Sequence, residues 1–148
     1  MTTEERQLLL KDLCARLPYG VKMGVPSAIA PIVLDEFVLN VAQRRNEEFK
    51  PYLRPMSSMT EEEREDLLIT LLGKDDTKYF QILPDGSIEN TDAEYQDLSH
   101  FNIHWMNFNG VNTSAYIDWL NAHHFDYRGL IEKGLALEAP TDMYKNKN

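Results

Sequence analysis

The chain is poor in cysteine and has no long apolar run. Its only cysteine, Cys14, excludes an internal disulfide framework and a cysteine-rich zinc site. No apolar stretch approaches the roughly 20 residues that a membrane-spanning helix needs. The N-terminus, Met-Thr-Thr-Glu-Glu-Arg, is acidic and unlike a signal peptide. We therefore expect a soluble protein of a reducing compartment, the cytoplasm, without membrane association.

The common catalytic motifs are also missing. The sequence has no G-x-x-x-x-G-K-[ST] phosphate loop, no G-x-S-x-G nucleophile elbow, no H-E-x-x-H and no C-x-x-C. Each of these motifs places the groups that bind a phosphate, a metal or an acyl intermediate. Their absence favours a non-enzymatic protein, and no cofactor is expected.

Basic residues are scarce in the middle of the chain. Residues 61–118 contain three basic and 13 acidic residues, whereas the whole chain carries a net charge of −9. An acidic segment repels phosphates, so direct binding of nucleic acid is not expected. It would attract a protein with a basic surface, for which the candidate residues are Glu61, Glu62, Glu65 and Asp66. The alternative interpretation is an acidic, solvated helix face that only maintains solubility.

A length of 148 residues suits one domain, which we place at residues 1–140, followed by a flexible tail over 141–148. The fold class expected is α+β, with about three main helices and a small antiparallel sheet. Capping-box spacings at Thr2/Glu5 and Thr60/Glu63 predict two of the helices, and the predicted helical ranges are 3–17, 60–72 and 113–123.

Strands are predicted where apolar residues alternate. Val21–Val25 shows this pattern, and residues 79–83 and 87–89 flank a Pro-Asp-Gly turn as in a hairpin. Residues 29–42 fit two short strands, with Asp35-Glu36 as a turn, but also fit a helix; β-branched content favours the strands, and the alternative stays open. Residues 127–139 are expected to form a short helix ending at Gly134 and then an extended piece.

Burial and exposure can be predicted for several side chains. Cys14 lies at helical spacing with Leu10, Leu13 and Leu17, which predicts a buried, inert thiol. The two tryptophans are predicted to lie in the core together with two neighbours; these four residues are Trp105, Tyr116, Trp119 and Leu120. The two prolines of Lys50–Met59 predict an extended or turning connector, in which Tyr52–Arg54 is exposed. On it, Tyr52 and Arg54 are candidate contacts with a partner.

Three sequence blocks resemble a known group of proteins. They are LLLKDLCARLPYGVK (8–22), KPYLRPMSSMTEEE (50–63) and WLNAHHFDYRGLIEKGLALEAP (119–140). They resemble an uncharacterised family of small proteins from gut bacteria and their phages and mobile elements. The resemblance implies no activity and no catalytic residue. It implies a phage or mobile-element protein that modulates a host protein, and a small β unit between the first two blocks.

All four histidines lie between residues 100 and 124. His100 and His104, with Asp97, would share one face of a helix and could bind a metal, although Asn and Gly residues nearby disfavour that helix. The alternative function is therefore a small metal-dependent enzyme built from the His100–His124 region. The segment His124–Arg128 contains an acid, a base and a cation, which makes His124 and Arg128 candidate partner contacts. The alternative is a turn that ends one helix, in which Asp126 caps the next helix. The sequence leaves the partner's identity and the oligomeric state open.

Overall fold

The protein is described by a computed structural model. It covers residues 1–26, 28–44, 49–72, 80–82, 88–90, 100–101 and 113–145. The chain forms two compact units. Unit 1 comprises Met1–Pro55 and Asn121–Asn148, and unit 2 comprises Met56–Leu120. Each unit is described separately below.

The described residues contain four α-helices and seven short strands, which confirms the α+β class. The helices are α1 (Thr3–Arg16), α2 (Glu36–Arg44), α3 (Glu61–Leu72) and α4 (Thr113–Ala122), with 3₁₀ turns at Leu17–Tyr19 and Met56–Ser58. The strands are β1 (Lys22–Gly24), β2 (Ile32–Val33), β3 (Lys50–Leu53), β4 (Phe80–Ile82), β5 (Ile88–Asn90), β6 (His100–Phe101) and β7 (Leu137–Glu138). No helix in these described segments is both long and apolar enough to cross a membrane.

Unit 1 is organised around a mixed four-stranded sheet in the order β2-β1-β3-β7. β1 pairs antiparallel with β2 and with β3, but β3 and β7 run parallel, with Tyr52 opposite Leu137. The expectation of a purely antiparallel sheet is therefore wrong for β7. Local sequence patterns do not reveal strand direction, because the direction depends on how the intervening 83 or so residues return the chain to the sheet.

The core of unit 1 lies on one face of this sheet. Alternation puts Met23 of β1 and Leu53 of β3 on that face, and both are fully buried. They pack with α1, α2 and the C-terminal segment, and the cluster comprises Leu9, Leu13, Val21, Met23, Leu34, Phe49, Leu53, Leu130, Leu135 and Ala136.

Helix α1 begins at the predicted capping box. The Thr2 hydroxyl accepts the Glu5 backbone N–H at 3.1 Å, and the Glu5 carboxylate accepts the Thr2 N–H at 3.1 Å. Gly20 closes the following 3₁₀ turn in the left-handed region, with φ of 70°. A side chain at this φ would be strained, so glycine suits the stop.

The burial predicted for Cys14 is wrong, because its side chain is exposed. The buried face of α1 consists of Leu9, Asp12, Leu13 and Arg16. This face is displaced around the helix from the stripe that contains Cys14. Two of these four buried residues are charged. A prediction based only on the spacing of apolar residues therefore chose the wrong face of the helix.

The preference for two strands over residues 29–42 is half wrong. Ile32–Val33 is a strand, but Glu36–Arg44 is a helix. The Asp35 carboxylate accepts the Val38 backbone N–H at 2.8 Å, so Asp35 caps α2 instead of forming a strand-to-strand turn. The helical spacing of Val38, Val41 and Ala42, which all pack on the core, prevails over β propensity.

Lys50–Met59 is extended and then turns, as predicted, but the exposure predicted for Tyr52–Arg54 is wrong. Lys50–Leu53 forms β3, an inner strand of the sheet, in which Pro51 and Leu53 are buried. Tyr52 and Arg54 are half-buried. Proline is normally confined to edges and bulges, which is why two prolines argued against an inner strand.

In unit 2, α3 begins at the second predicted capping box. Thr60 and Glu63 exchange side-chain to backbone hydrogen bonds of 3.1 and 3.0 Å. The hairpin is confirmed: β4 and β5 pair antiparallel, and β6 extends this sheet in the order β4-β5-β6. Three residues of α4 that were predicted to lie in the core are buried, namely Tyr116, Trp119 and Leu120. Trp105 lies outside the described residues.

The C-terminal part of unit 1 consists of turns instead of the predicted short helix. Residues 127–134 are turns, and Gly134, with φ of 73°, precedes the extended β7. Residues 141–144 form a further turn, in which Tyr144 is half-buried and packs against the core. The predicted tail therefore includes a residue with defined contacts, and residues 146–148 lie outside the described part of the chain.

Candidate functional site

A buried ion pair joins two positions of α1 that are one helical turn apart. Arg16 Nε donates to Asp12 Oδ2 at 2.8 Å, and both side chains are 0% exposed. Asp12 Oδ1 accepts a second bond, at 3.1 Å, from Nε of Arg128. One carboxylate therefore serves two guanidinium groups, which leaves an excess of one positive charge at this point.

Arg16 also joins α1 to the segment that follows α4. Its Nη2 donates to the backbone carbonyl of Phe125 at 2.7 Å. Its Nη1 is buried and has no hydrogen-bond partner within the described part of the chain. Buried polar groups are almost always satisfied, so this unpartnered N–H opposes folding and makes the bonds to Asp12 and Phe125 more important.

Tyr127 lies between the two arginines. Its ring centroid is 5.2 Å from the Arg16 guanidinium carbon and 5.0 Å from that of Arg128. Its hydroxyl donates to Asn121 Oδ1 at 2.9 Å. These contacts position Arg128 against Asp12, so the predicted contact residue Arg128 is largely engaged within its own unit.

Asp126 caps the turns that follow it, not the helix predicted there. Its two carboxylate oxygens accept the backbone N–H groups of Leu130 and Ile131 at 2.8 and 3.0 Å. Its own N–H donates to the Arg54 carbonyl at 2.8 Å, and the Arg54 guanidinium lies 4.2 Å from the centre of the Phe125 ring. Arg54 therefore extends the sheet of unit 1 towards this segment.

His124 has an unusual conformation and environment. Its φ is 65°, in the left-handed region that glycine and asparagine favour. Its ring stacks on Tyr144, with centroids 3.8 Å apart. Burial, followed by the positive charges of Arg16, His123, Arg54 and Lys22, lowers the pKa of His124 from 6.5 to about 4. The imidazole is therefore neutral at pH 7.

The low pKa of His124 predicts a pH-dependent stability. Between pH 6.5 and pH 4 the unfolded chain binds a proton that the folded chain does not, so folding weakens as pH falls through this window. We expect a loss of about 2 kcal/mol in the free energy of unfolding between pH 7 and pH 4 from this group alone. Urea unfolding of the native protein and of His124→Phe at both pH values measures the difference. An identical pH dependence in the two proteins would contradict the prediction.

The Tyr144 hydroxyl lies between two strands of the sheet. It accepts the Lys22 backbone N–H at 2.9 Å and donates to the Tyr52 carbonyl at 2.7 Å. β1 and β3 pair at Met23 and Pro51, so Lys22 and Tyr52 are the next pair along the ladder, and the hydroxyl bridges them. Burial raises the pKa of Tyr144 to about 12, which keeps the donated proton in place at neutral pH.

An open groove lies on the sheet face opposite the core. It has a volume of about 290 Å³ and is lined by Gly24, Val25, Pro26, Lys50, Tyr52 and Leu137. A Cβ at position 24 would lie 2.7 Å from Leu137 Cδ1, so glycine allows Tyr52 and Leu137 to close against β1. Its lining combines apolar side chains with Tyr52 and Lys50.

The four acidic candidates all lie on α3 in unit 2. Glu61, Glu62, Glu65 and Asp66 are all exposed. Asp66 differs from the others because its Oδ2 accepts the Trp119 Nε1–H at 2.8 Å. Asp66 therefore has a structural contact within unit 2 in addition to its charge.

The predicted candidates fall into two groups. Tyr52, Arg54, His124 and Arg128 come together in unit 1, whereas the acidic residues belong to unit 2. The sequence analysis missed Asp12, Arg16 and Tyr144. A charged pair at i and i+4 within an apolar stripe is a signal that could have identified the first two.

The proposed metal ligands are not assembled in the described structure. His100 lies in strand β6, not in a helix, and Asp97 and His104 lie outside the described residues. Among the residues whose placement is described, no group of three His, Cys, Asp or Glu side chains is arranged to hold a metal ion.

Comparison of the chain with protein-family models, with curated proteins and with solved structures finds no match.

Proposed function

We propose that this protein acts by binding a partner protein with a basic surface, and that α3 forms the centre of the binding surface. The observation that carries the proposal is the separation of charge between the two compact units. Unit 2 contains 13 acidic and three basic residues, whereas unit 1 contains 11 acidic and 12 basic residues. The net charge of the protein is thus confined to one compact unit.

The side chains of α3 present this charge to solvent. Glu61, Glu62 and Glu65 are exposed, while Leu67 and Leu68 are buried. The acidic residues lie in the first turns, where the helix dipole stabilises them. A rigid helix with one exposed acidic end can steer a basic partner and raise the association rate.

The two buried carboxylates of unit 1, Asp12 and Asp126, favour a binding role for the protein over acid–base catalysis. Asp12 is bound by two arginines, and Asp126 accepts two backbone N–H groups. Both are therefore used to hold unit 1 together. The family resemblance adds that the partner belongs to a bacterial host, which agrees with a phage or mobile-element protein that modulates a host protein.

The proposal predicts a charge-dependent interaction. In a pull-down from a host lysate, the native chain is expected to retain a host protein. The variant Glu61→Lys/Glu62→Lys/Glu65→Lys is expected not to retain it. The matched control is Glu4→Lys/Glu36→Lys/Glu132→Lys, which reverses three exposed charges in unit 1. It changes the net charge equally and is expected to retain the partner.

The retained protein is then purified and its association rate measured between about 0.05 and 0.5 M salt. We expect the rate for the native chain to fall at least about tenfold, because electrostatic steering is screened as the Debye length shrinks below 10 Å. A partner that both variants bind equally, or an association rate that does not respond to salt, would refute the proposal.

A further inference from the structure

Strand β2 lies at one edge of the unit 1 sheet. It is the first strand in the order β2-β1-β3-β7, and among the described strands it pairs with β1 alone. The Leu34 N–H donates to the Val21 carbonyl at 2.8 Å, and Lys22 lies opposite Val33. Hydrogen-bonded and non-hydrogen-bonded pairs alternate in an antiparallel ladder. The N–H and C=O groups of Val33 therefore point away from β1, towards the free edge of the sheet.

The free edge presents a defined pattern of backbone donors and acceptors. Within the described part of the chain, neither edge-facing group of Val33 has a hydrogen-bond partner. By the same alternation Pro31 and Asp35 face this edge. Pro31 has no N–H, so it offers only its carbonyl. The Asp35 carbonyl already accepts the Leu39 N–H at 2.9 Å, so Asp35 offers its N–H.

Exposed apolar side chains are spaced evenly about Val33. Among the described residues of unit 1, the large apolar side chains that are exposed, apart from that of Met1, are those of Ile29, Val33 and Phe37. Ile29 is fully exposed, Phe37 is 74% exposed and Val33 is 54% exposed. Each outer residue is four positions from Val33 in the sequence, so its Cα lies within about 14 Å of that of Val33. Three such side chains at one sheet edge mark an interaction surface.

We propose that two copies of the chain pair antiparallel through β2, with the two-fold axis at Val33. Each Val33 N–H donates to the Val33 carbonyl of the other copy, and each Asp35 N–H donates to the Pro31 carbonyl of the other copy. The two sheets then form one continuous sheet in the order β7-β3-β1-β2-β2-β1-β3-β7.

The self-complementary pattern of this edge selects a second copy of the chain as the partner. The acceptor at Pro31 and the donor at Asp35 are equally far from Val33, so a two-fold axis brings each donor to an acceptor. The same axis places Ile29 of one copy at the level of Phe37 of the other. The exposed apolar side chains therefore cover one another, which removes them from water.

The charges next to β2 select the antiparallel arrangement. Asp35 and Glu36 are exposed, and a parallel pairing in register would place each of them beside the same acid of the other copy. The antiparallel pairing places them beside residues 30 and 31 instead, which are Ala30 and Pro31 and carry no charge. Like charges directly opposite each other are destabilising, so the antiparallel dimer is favoured.

The size of the surface sets the expected affinity. The three apolar side chains and the adjacent backbone of both copies bury on the order of 1,000 Å² in total, below the roughly 1,200–2,000 Å² of stable interfaces. We therefore expect a reversible dimer with a dissociation constant of about 10–100 μM. Sedimentation of the full-length protein from about 1 μM to 1 mM measures this constant.

Amide hydrogen exchange locates the interface. Between the two ends of this concentration range, the N–H groups of Val33 and Asp35 are expected to exchange about fivefold more slowly or slower still, because only the monomer exposes them. Leu34 provides an internal control. Its N–H is bonded to the Val21 carbonyl of its own chain, so its exchange is expected not to depend on concentration.

Two exposed apolar residues give matched variants. Phe37→Glu is expected to raise the dissociation constant at least about tenfold, since it removes an apolar contact twice in each dimer. Ile69→Lys changes an exposed apolar residue of α3 in unit 2 and is expected to keep the constant within about twofold of the native value. Both side chains are exposed, so the far-ultraviolet circular dichroism of the variants should match that of the native chain.

A crossed mixture of variants tests the register. Ile29→Lys and Phe37→Glu each weaken their own dimers. When they are mixed, the heterodimer gains one lysine–glutamate contact and keeps one native contact between Ile29 and Phe37. We expect this heterodimer to be at least about threefold more stable than either homodimer. A mixture of Ile29→Lys with Ile29→Glu lacks both features in the proposed register and is expected to show no such gain.

Four results would overturn the proposal: a native chain that stays monomeric at about 1 mM, equal weakening by Ile69→Lys and Phe37→Glu, exchange at Val33 that is independent of concentration, or the same behaviour of the two mixtures. The surface involves neither α3 nor unit 2. The triple lysine variant of α3 is therefore expected to dimerise like the native chain, and a failure of the dimer would leave the proposed partner interaction untouched.

Discussion

Replacing Asp12 with alanine is expected to lower the free energy of unfolding by about 3–5 kcal/mol. Among the residues that the structure describes, Asp12 is the one carboxylate that pairs with the fully buried guanidinium of Arg16, and its removal also frees Arg128. An uncompensated buried charge is far more costly than a lost surface pair. Chemical denaturation of the folded protein, followed by far-ultraviolet circular dichroism, measures the change.

Asp142 offers a control for Asp12, because its ion pair with Lys145 is largely exposed. Asp142→Ala is expected to leave the unfolding midpoint unchanged. The double variant Asp12→Leu/Arg16→Met should recover much of the stability lost in Asp12→Ala, since it removes both buried charges together. If Asp12→Ala is as stable as Asp142→Ala, the pair does not have the structural role assigned to it.

Replacing Trp119 with alanine is expected to cost about 3–5 kcal/mol in the free energy of unfolding. The indole is 7% exposed and contacts the Asp66 carboxylate through Nε1, so the variant loses both apolar burial and a hydrogen bond. A typical domain has only about 5–15 kcal/mol to lose. Thermal and urea unfolding of the two proteins provides the measurement.

Two milder variants separate the contributions of Trp119. Trp119→Phe keeps much of the burial, and Asp66→Ala removes only the acceptor; the latter is expected to cost about 0.5–1.5 kcal/mol. Asp118→Ala, which alters an exposed acid on the same helix, is the matched control and should have little effect. Unchanged melting of Trp119→Ala would indicate that the indole is a surface anchor for a partner.

The sequence predicted correctly those elements that are stabilised by residues close together in the chain. Both capping boxes form as expected, because each depends on residues three positions apart. The β4–β5 hairpin likewise connects neighbours in sequence. In contrast, β3 could not be recognised as an inner strand. Its partners lie about 30 residues before it and 85 after it, and Pro51 within it and Pro55 beyond it suggested a connector.

The candidate site was harder to predict because its key groups violate the usual pattern. Arg16 and Asp12 occupy buried positions of α1, where periodicity analysis expects apolar residues, and their burial depends on Phe125 and Arg128, more than 100 residues away. Tyr144 lies in a polar segment that resembles a frayed end. Only the folded sheet reveals that its hydroxyl completes the pairing of β1 with β3.

The division of unit 1 into two stretches of sequence has a consequence for how the protein is made. Its first stretch, Met1–Pro55, leaves the ribosome long before Asn121–Asn148, and all of Met56–Leu120 is synthesised in between. Arg16 therefore emerges without the carbonyl and the ring that later surround it, and β3 emerges without its parallel neighbour. Contacts between residues so far apart in the sequence form late and slowly. During that interval the buried face of α1 and the sheet remain open to chaperones, proteases and other nascent chains.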